Sequence, residues 1–89
     1  MSSPRNSKVV MYSRPRCGLC DEAREVIESV RASAGTAFDY EEISIEGDDA
    51  LELEYGIRIP VVLVNGEEFA EYRVNADAFR AVLARSAIG

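Results

Sequence analysis

Histidine and tryptophan are absent from this 89-residue chain, and cysteine occurs twice. Without histidine no histidine-dependent catalytic triad can be assembled, and two cysteines leave a tetrahedral zinc two ligands short unless carboxylates or another chain complete it. There is no glycine-rich phosphate loop. No apolar run approaches the ~20 residues that span a bilayer, and residues 1–7 lack the apolar core of a secretory signal. Basic residues are also scarce. Ten Lys and Arg stand against sixteen Asp and Glu, a net charge of −6, which argues against a nucleic-acid or anionic-membrane surface.

What is present is an ordinary soluble composition, 47% hydrophobic and 29% charged, in a chain with room for one domain. A polar, Ser-rich lead over residues 1–7 carries no periodicity and is expected to be disordered, leaving residues 8–89 as a single domain. The expected setting is the cytoplasm. Its thiol pool is reducing, so a lone pair of cysteines there serves catalysis better than permanent cross-linking.

Both cysteines lie in the stretch Arg14-Pro15-Arg16-Cys17-Gly18-Leu19-Cys20-Asp21-Glu22-Ala23. Upstream, residues 8–13 (KVVMYS) read as a β-branched strand. Downstream, Leu19, Ala23, Val26, Ile27 and Val30 fall on one face at helical spacing. Pro15 breaks the strand, so the pair sits where a strand hands over to a helix beginning at about Cys17 or Gly18. There the sulfur of Cys17 lies beside unpaired N–H groups and the positive end of the helix dipole, with Cys20 one turn inside. Lowering a thiol pKa by two units needs ~2.7 kcal/mol, and a helix end supplies at most ~2. Arg14, Arg16 and first-turn N–H groups add to it, while Asp21 and Glu22 oppose it, which gives Cys17 a pKa of roughly 5.5 to 7.5. Cys20 is then placed to attack a mixed disulfide on Cys17. The plain alternative is a pair of small buried hydrophobes with no reactivity.

Further along, the first helix is predicted over residues 18–33, with Gly35 positioned to stop it. Residues 36–45 (TAFDYEEISI) are strand-like, but the alternation changes phase between Phe38/Tyr40 and Ile43/Ile45, which predicts partial pairing or a bulge. Asp48 or Asp49 caps a short helix through Tyr55, closed by Gly56. A β-branched run over residues 57–64, then Asn65-Gly66, then residues 67–72 reads as a hairpin. A final helix over residues 76–86, capped by Asn75, places Ala76, Phe79, Val82 and Leu83 on its core face. The order β-α-β-α-β-β-α implies an α/β fold with a four-stranded mixed sheet, packed by helices in three layers or two and one.

Residues 9–20 (VVMYSRPRCGLC) resemble the opening of a glutaredoxin, and Ile59-Pro60-Val61-Val62 followed by Asn65-Gly66 resembles that family's later Val-Pro and hairpin segment. The likeness spans nearly the whole chain after residue 7, and is closest to small bacterial glutaredoxin-like proteins with a C-x-L-C-D-x-A pattern. It implies the minimal thioredoxin fold. It also implies a thiol-disulfide oxidoreductase in which Cys17 is the nucleophile and Cys20 the resolving thiol. Pro60 would be cis and face the sulfurs, with the backbone of Ile59 pairing an extended substrate. Arg14 stands where glutaredoxins place a lysine for a glutathione carboxylate. Tyr12 reads as core, and Asp77 as either a ligand neighbour or a plain first-turn acid.

The sequence departs from the family between the cysteines, where Gly18-Leu19 replaces Pro-Tyr at the substrate-facing turn. After the last strand, Ala70-Glu71 replaces a Gly-Gly pair, and a carboxylate there would repel glutathione's own. No bound cofactor is expected, with glutathione as a co-substrate. The expected partners are protein disulfides and either glutathione or a flavoprotein reductase, acting on a monomer. The competing class is a non-enzymatic thioredoxin-fold binding module, or an iron-sulfur cluster shared by two chains through Cys17 and external thiols.

Overall fold

The computed structural model describes residues 7–33 and 37–88. In chain order these form β1 (Ser7–Ser13), α1 (Gly18–Arg31), β2 (Phe38–Ser44), α2 (Asp49–Tyr55), β3 (Val61–Val64), β4 (Glu67–Glu71) and α3 (Ala76–Ile88). One sheet has the order β2-β1-β3-β4, with β1 parallel to β2 and antiparallel to β3, and β4 antiparallel to β3. This is the thioredoxin fold in its minimal form.

Strand alternation sets the layers. Val9 and Met11 of β1 stand opposite Val64 and Val62 of β3, and this face is covered by Cys20, Ala23, Ile27 and Val30 of α1 and by Phe79 and Leu83 of α3. Phe79 is fully buried, edge-on to Phe38 at 5.5 Å and tilted against Phe69 at 5.8 Å. Tyr12, of the opposite parity, turns to the other face, where its ring stacks on Tyr55 of α2 at 4.3 Å. Helix α2 has no buried residue of its own. The helices are thus divided two and one.

The hairpin forms at Asn65-Gly66, whose φ values of 54° and 86° are the two positive angles that a type I′ turn needs. Asp48 caps α2 by accepting the Leu51 N–H at 3.0 Å, and Asn75 caps α3 by accepting the Ala78 N–H at 2.8 Å. Gly56 closes α2 in an ordinary right-handed conformation, φ −52°, so no left-handed angle is being used there. No described helix is long and apolar enough to cross a membrane.

Several boundaries differ from expectation. β1 opens at Ser7, one residue early, and α1 ends at Arg31, two residues early. Gly35, Thr36 and residues 1–6 lie outside the described residues. The third strand is half the length expected, because residues 57–60 form a turn and an Ile59-Pro60 cis bond before pairing starts at Val61. β4 ends at Glu71, since Tyr72 turns out of the strand with φ 66°.

The second strand carries the most informative correction. β2 pairs with β1 without a break from Phe38 to Ser44, and the register irregularity lies instead between β3 and β4, at Val62/Leu63. The apparent phase change arises because Glu42, in register with Met11, stands on the helix-covered face. Its carboxylate receives Arg24 through Nε at 2.8 Å and Nη2 at 2.7 Å, and the Ser13 hydroxyl at 2.8 Å. A carboxylate on that face is tolerated because it is paired and hydrogen-bonded.

Those bonds, the Arg24 pair first and then the Ser13 hydroxyl, hold the Glu42 carboxyl below its ordinary range against the opposing effect of burial. A depressed carboxyl pKa gives stability that is complete above the ordinary carboxylate range and is lost as pH falls through the folded-state value. Glu42→Gln should therefore lower stability at neutral pH by about 1 to 2 kcal/mol, the discount reflecting a half-exposed Arg24. It should also flatten the acid limb of the stability curve, as denaturant melts between pH 2 and 7 would record. An unchanged acid limb would remove this role from Glu42.

Candidate active site

Residues 14–17 carry the chain from β1 to α1. Arg16 takes φ 56°, a left-handed angle uncommon outside glycine and concentrated at functional positions. The next residue, Cys17, is extended (φ −117°, ψ 107°) and is the N-cap of α1. A cap usually offers oxygen to the first-turn N–H groups; here sulfur does so. The Cys20 N–H donates to Cys17 Sγ at 3.1 Å, and the Asp21 N–H to the Cys17 carbonyl at 3.0 Å.

The two cysteines are joined in a disulfide. Cys20 is fully buried in the core, whereas Cys17 is only partly covered. Gly18 is exposed, Leu19 half-buried, and a Cβ on Gly18 would meet nothing within 4 Å, so the first turn stands open to an approaching chain. The acids that follow are each compensated. Asp21 accepts from Arg24 at 2.8 Å, and Glu22 from Arg73, in the link before α3, at 2.9 Å. Their opposition to a Cys17 thiolate is smaller than the sequence suggested.

The cis Ile59-Pro60 bond lies at the same end of the sheet, because β3 starts at Val61, in register with Tyr12 just before β1 ends. Pro60 is buried, and Ile59, like Cys17, packs against the core. Tyr72 binds this segment twice: its N–H donates to the Pro60 carbonyl at 2.8 Å and its hydroxyl to the Ile57 carbonyl at 2.6 Å. A bulky residue at positive φ persists only where its surroundings over-determine it, and these two bonds do so.

Arg14 arrives at the same end but is already engaged. Nη2 donates to Glu52 at 2.9 Å and to the Gly56 carbonyl at 3.1 Å, clamping the site loop to the end of α2. Glu71, expected to repel glutathione, is paired with Arg58 at 2.8 Å. Tyr12 is half-buried in its stack with Tyr55, and Asp77 pairs with Arg80 at 3.5 Å one turn on.

The structure thus brings Cys17, Gly18, Leu19, Cys20, Arg14, Ile59 and Pro60 to one end of the sheet. Sequence reasoning missed Tyr72, Ile57 and Arg73, which border that end. Ile57 opens the β-branched run and Tyr72 closes the second hairpin segment, so strand composition accounts for both without a site role, and Arg73 lies in a link with no pattern. A cleft of about 140 Å³ beside the site is lined by Glu22, Ala23, Val26, Tyr72, Arg73 and Val74. The larger hollow, about 440 Å³, lies at the opposite, hairpin end, among Val64, Asn65, Glu67, Val82 and Arg85, away from the sulfurs. Among the described residues no group of three or more Cys, Asp or Glu is arranged to hold a metal ion.

Comparison with known proteins gives a consistent outcome. The family model described as glutaredoxin-like domain (DUF836) matches residues 8–84. An uncharacterised protein of Mycobacterium tuberculosis is 32% identical over 94 residues, covering 100% of this chain and 92% of that protein. A probable thioredoxin of Methanothermobacter marburgensis is 30% identical over 60 residues, 66% of this chain and 71% of that one. Among solved structures, a structural-genomics target from X. campestris has a TM-score of 0.71 at 35% identity, covering 86% of this chain and 96% of that chain. A thioredoxin from Halobacterium salinarum, at 21% identity and a TM-score of 0.64 over 92% of this chain and 75% of that one, shares the fold.

Proposed function

The chain belongs to the glutaredoxin-like domain family (DUF836), and from that premise we propose that it is a thiol-disulfide oxidoreductase acting on protein disulfides or glutathione mixed disulfides. The observation that carries this reading is the sulfur of Cys17 at the N-cap of α1, accepting a first-turn N–H, with Cys20 within bonding reach beneath it. A thiolate at that position is stabilised by the same N–H and by the helix dipole.

In the reduced protein the Cys17 thiolate attacks one sulfur of the substrate disulfide. A Cys17–substrate disulfide forms, and the other substrate sulfur leaves as a thiolate that takes up a proton. Cys20 then loses its proton and attacks Cys17 Sγ. The second substrate thiolate leaves, and the protein holds the disulfide seen here, having given two electrons to its substrate. Gly18, Leu19, Ile59 and Pro60 border the substrate cysteine. Arg14 reaches a substrate carboxylate only by exchanging Glu52 for it. The cycle needs no bound metal or organic cofactor. It closes when glutathione or a flavoprotein reductase returns two electrons, as a reducing compartment such as the cytoplasm allows.

The test is reduction of a disulfide-bonded protein and of a glutathione mixed disulfide, each supplied in turn with glutathione plus its reductase and with a thioredoxin reductase. Turnover with at least one system is expected, together with Cys17 alkylation that is half-maximal below pH 8. Turnover with neither would overturn the enzyme reading and leave a binding module.

A further inference from the structure

Large apolar side chains are expensive to leave in water, yet Leu53 is 90% exposed, Ile57 89% and Tyr72 45%. They are not scattered. Gly56 keeps helical angles, so Ile57 follows Leu53 by about one turn, on the same side of α2 and its extension. Tyr72 lies against Ile57, its hydroxyl 2.6 Å from the Ile57 carbonyl. The row therefore runs from the outer side of α2 to the segment that ends in the cis Ile59-Pro60 bond, at the sheet end that carries Cys17. Its surroundings are acidic. Asp49, Glu52 and Glu54 lie on α2 and Glu68 and Glu71 on β4, five carboxylates against two guanidinium groups, Arg14 on Glu52 and Arg58 shared among Glu54, Glu68 and Glu71. The tyrosine is held rigid by its bonds to Pro60 and Ile57, and a preorganised aromatic makes a low-entropy anchor for a partner.

We infer that Leu53, Ile57 and Tyr72 are the docking surface for the protein substrate, and that the surface selects an extended segment carrying a bulky aliphatic side chain and lysine or arginine within a few residues of its disulfide cysteine. The inference rests on the oxidoreductase reading for what is bound, but not for how binding is measured. The aliphatic side chain covers Leu53 and Ile57, and the basic residues meet the carboxylates of α2 and β4. Specificity of this kind is set on α2, outside the C-x-x-C turn.

The experiment uses two disulfide-linked peptides of equal length, one with leucine and lysines near the cysteine, the other with the lysines replaced by glutamates, and hydroxyethyl disulfide as a substrate too small to reach the row. The Leu/Lys peptide should have the lower KM, by about tenfold, with the difference shrinking as salt is raised. Leu53→Ser with Ile57→Ser, at positions too exposed to threaten folding, should raise its KM by about tenfold, as expected for losing a buried aliphatic contact. The same double substitution should leave kcat, turnover of hydroxyethyl disulfide and the alkylation rate of Cys17 unchanged. Equal KM values for the two peptides, or an unaltered KM in the double variant, would overturn the inference.

If no disulfide of any kind is turned over, the oxidoreductase reading fails by itself, and docking is still decided by fluorescence anisotropy with the Leu/Lys peptide carrying serine for cysteine. Binding to the native protein that the double variant loses supports the surface; no binding to the native protein overturns it. A native dimer that the double substitution makes monomeric, seen by sedimentation, would assign the row to a second copy of the chain and overturn it likewise.

Discussion

Replacing Cys17 with serine is expected to reduce disulfide turnover by roughly a thousandfold or more, to the uncatalysed rate, since enzymes commonly exceed that rate by ~10⁶ and the step has no other exposed nucleophile. A hydroxyl at the N-cap accepts the Cys20 N–H as well as sulfur does, so the fold should survive and the loss can be assigned to chemistry. Cys20→Ser should behave differently. With Cys17 intact and its internal partner gone, attack on a protein disulfide stops halfway, and the mixed disulfide accumulates as a covalent adduct on non-reducing gels and by mass. Substantial turnover by Cys17→Ser, or a mixed disulfide that accumulates on Cys20 in Cys17→Ser but not on Cys17 in Cys20→Ser, would contradict the assignment of roles. The trapping arm reports on the first covalent step alone, so it is informative whichever reductant closes the cycle.

The second large effect concerns the core. Phe79 is fully buried and touches Phe38 of β2 and Phe69 of β4, the two edge strands of the sheet. Its ring therefore ties both margins to α3. Phe79→Ala should cost about 3 to 5 kcal/mol, a large share of the 5 to 15 kcal/mol by which small domains are stable, and the melting temperature should fall by more than 10 °C. The loss should exceed that for Tyr12→Ala, whose ring is half-exposed in its stack with Tyr55. The reverse ranking in denaturant melts would show that the face covered by α2 matters more to stability than the one covered by α1 and α3.

Most of the architecture could be read from local signals because those signals have local causes. Pro15 and the period change around it mark the junction of β1 and α1. Asn65-Gly66 supplies both positive φ angles of the hairpin, and Asp48 and Asn75 carry the oxygens that their helices need. The two cysteines were legible for the same reason, since spacing and context are both properties of a short segment.

What escaped depends on residues far apart in the chain. Arg14 meets Glu52 across 38 positions, so nothing in its neighbourhood announces that its charge is committed. Glu42 did leave a trace, the phase change in residues 36–45, but a slipped alternation cannot distinguish a bulge from a carboxylate facing a helix. Resolving it requires knowing that Arg24 comes down on that spot. The run over residues 57–64 misled for another reason. β-branched composition favours strand throughout, whereas residues 57–60 lie in the turn that follows α2 and pairing starts only at Val61.

The unequal cover over the two sulfurs has one more consequence. Cys20 is sealed while Cys17 is only partly covered, so in the proposed chemistry opening the disulfide and delivering it both pass through a single atom. By microscopic reversibility the same doorway serves oxidation and reduction, and the molecule carries no built-in arrow. Whether it donates electrons or withdraws them is decided by the relative potentials of the couples that reach that atom.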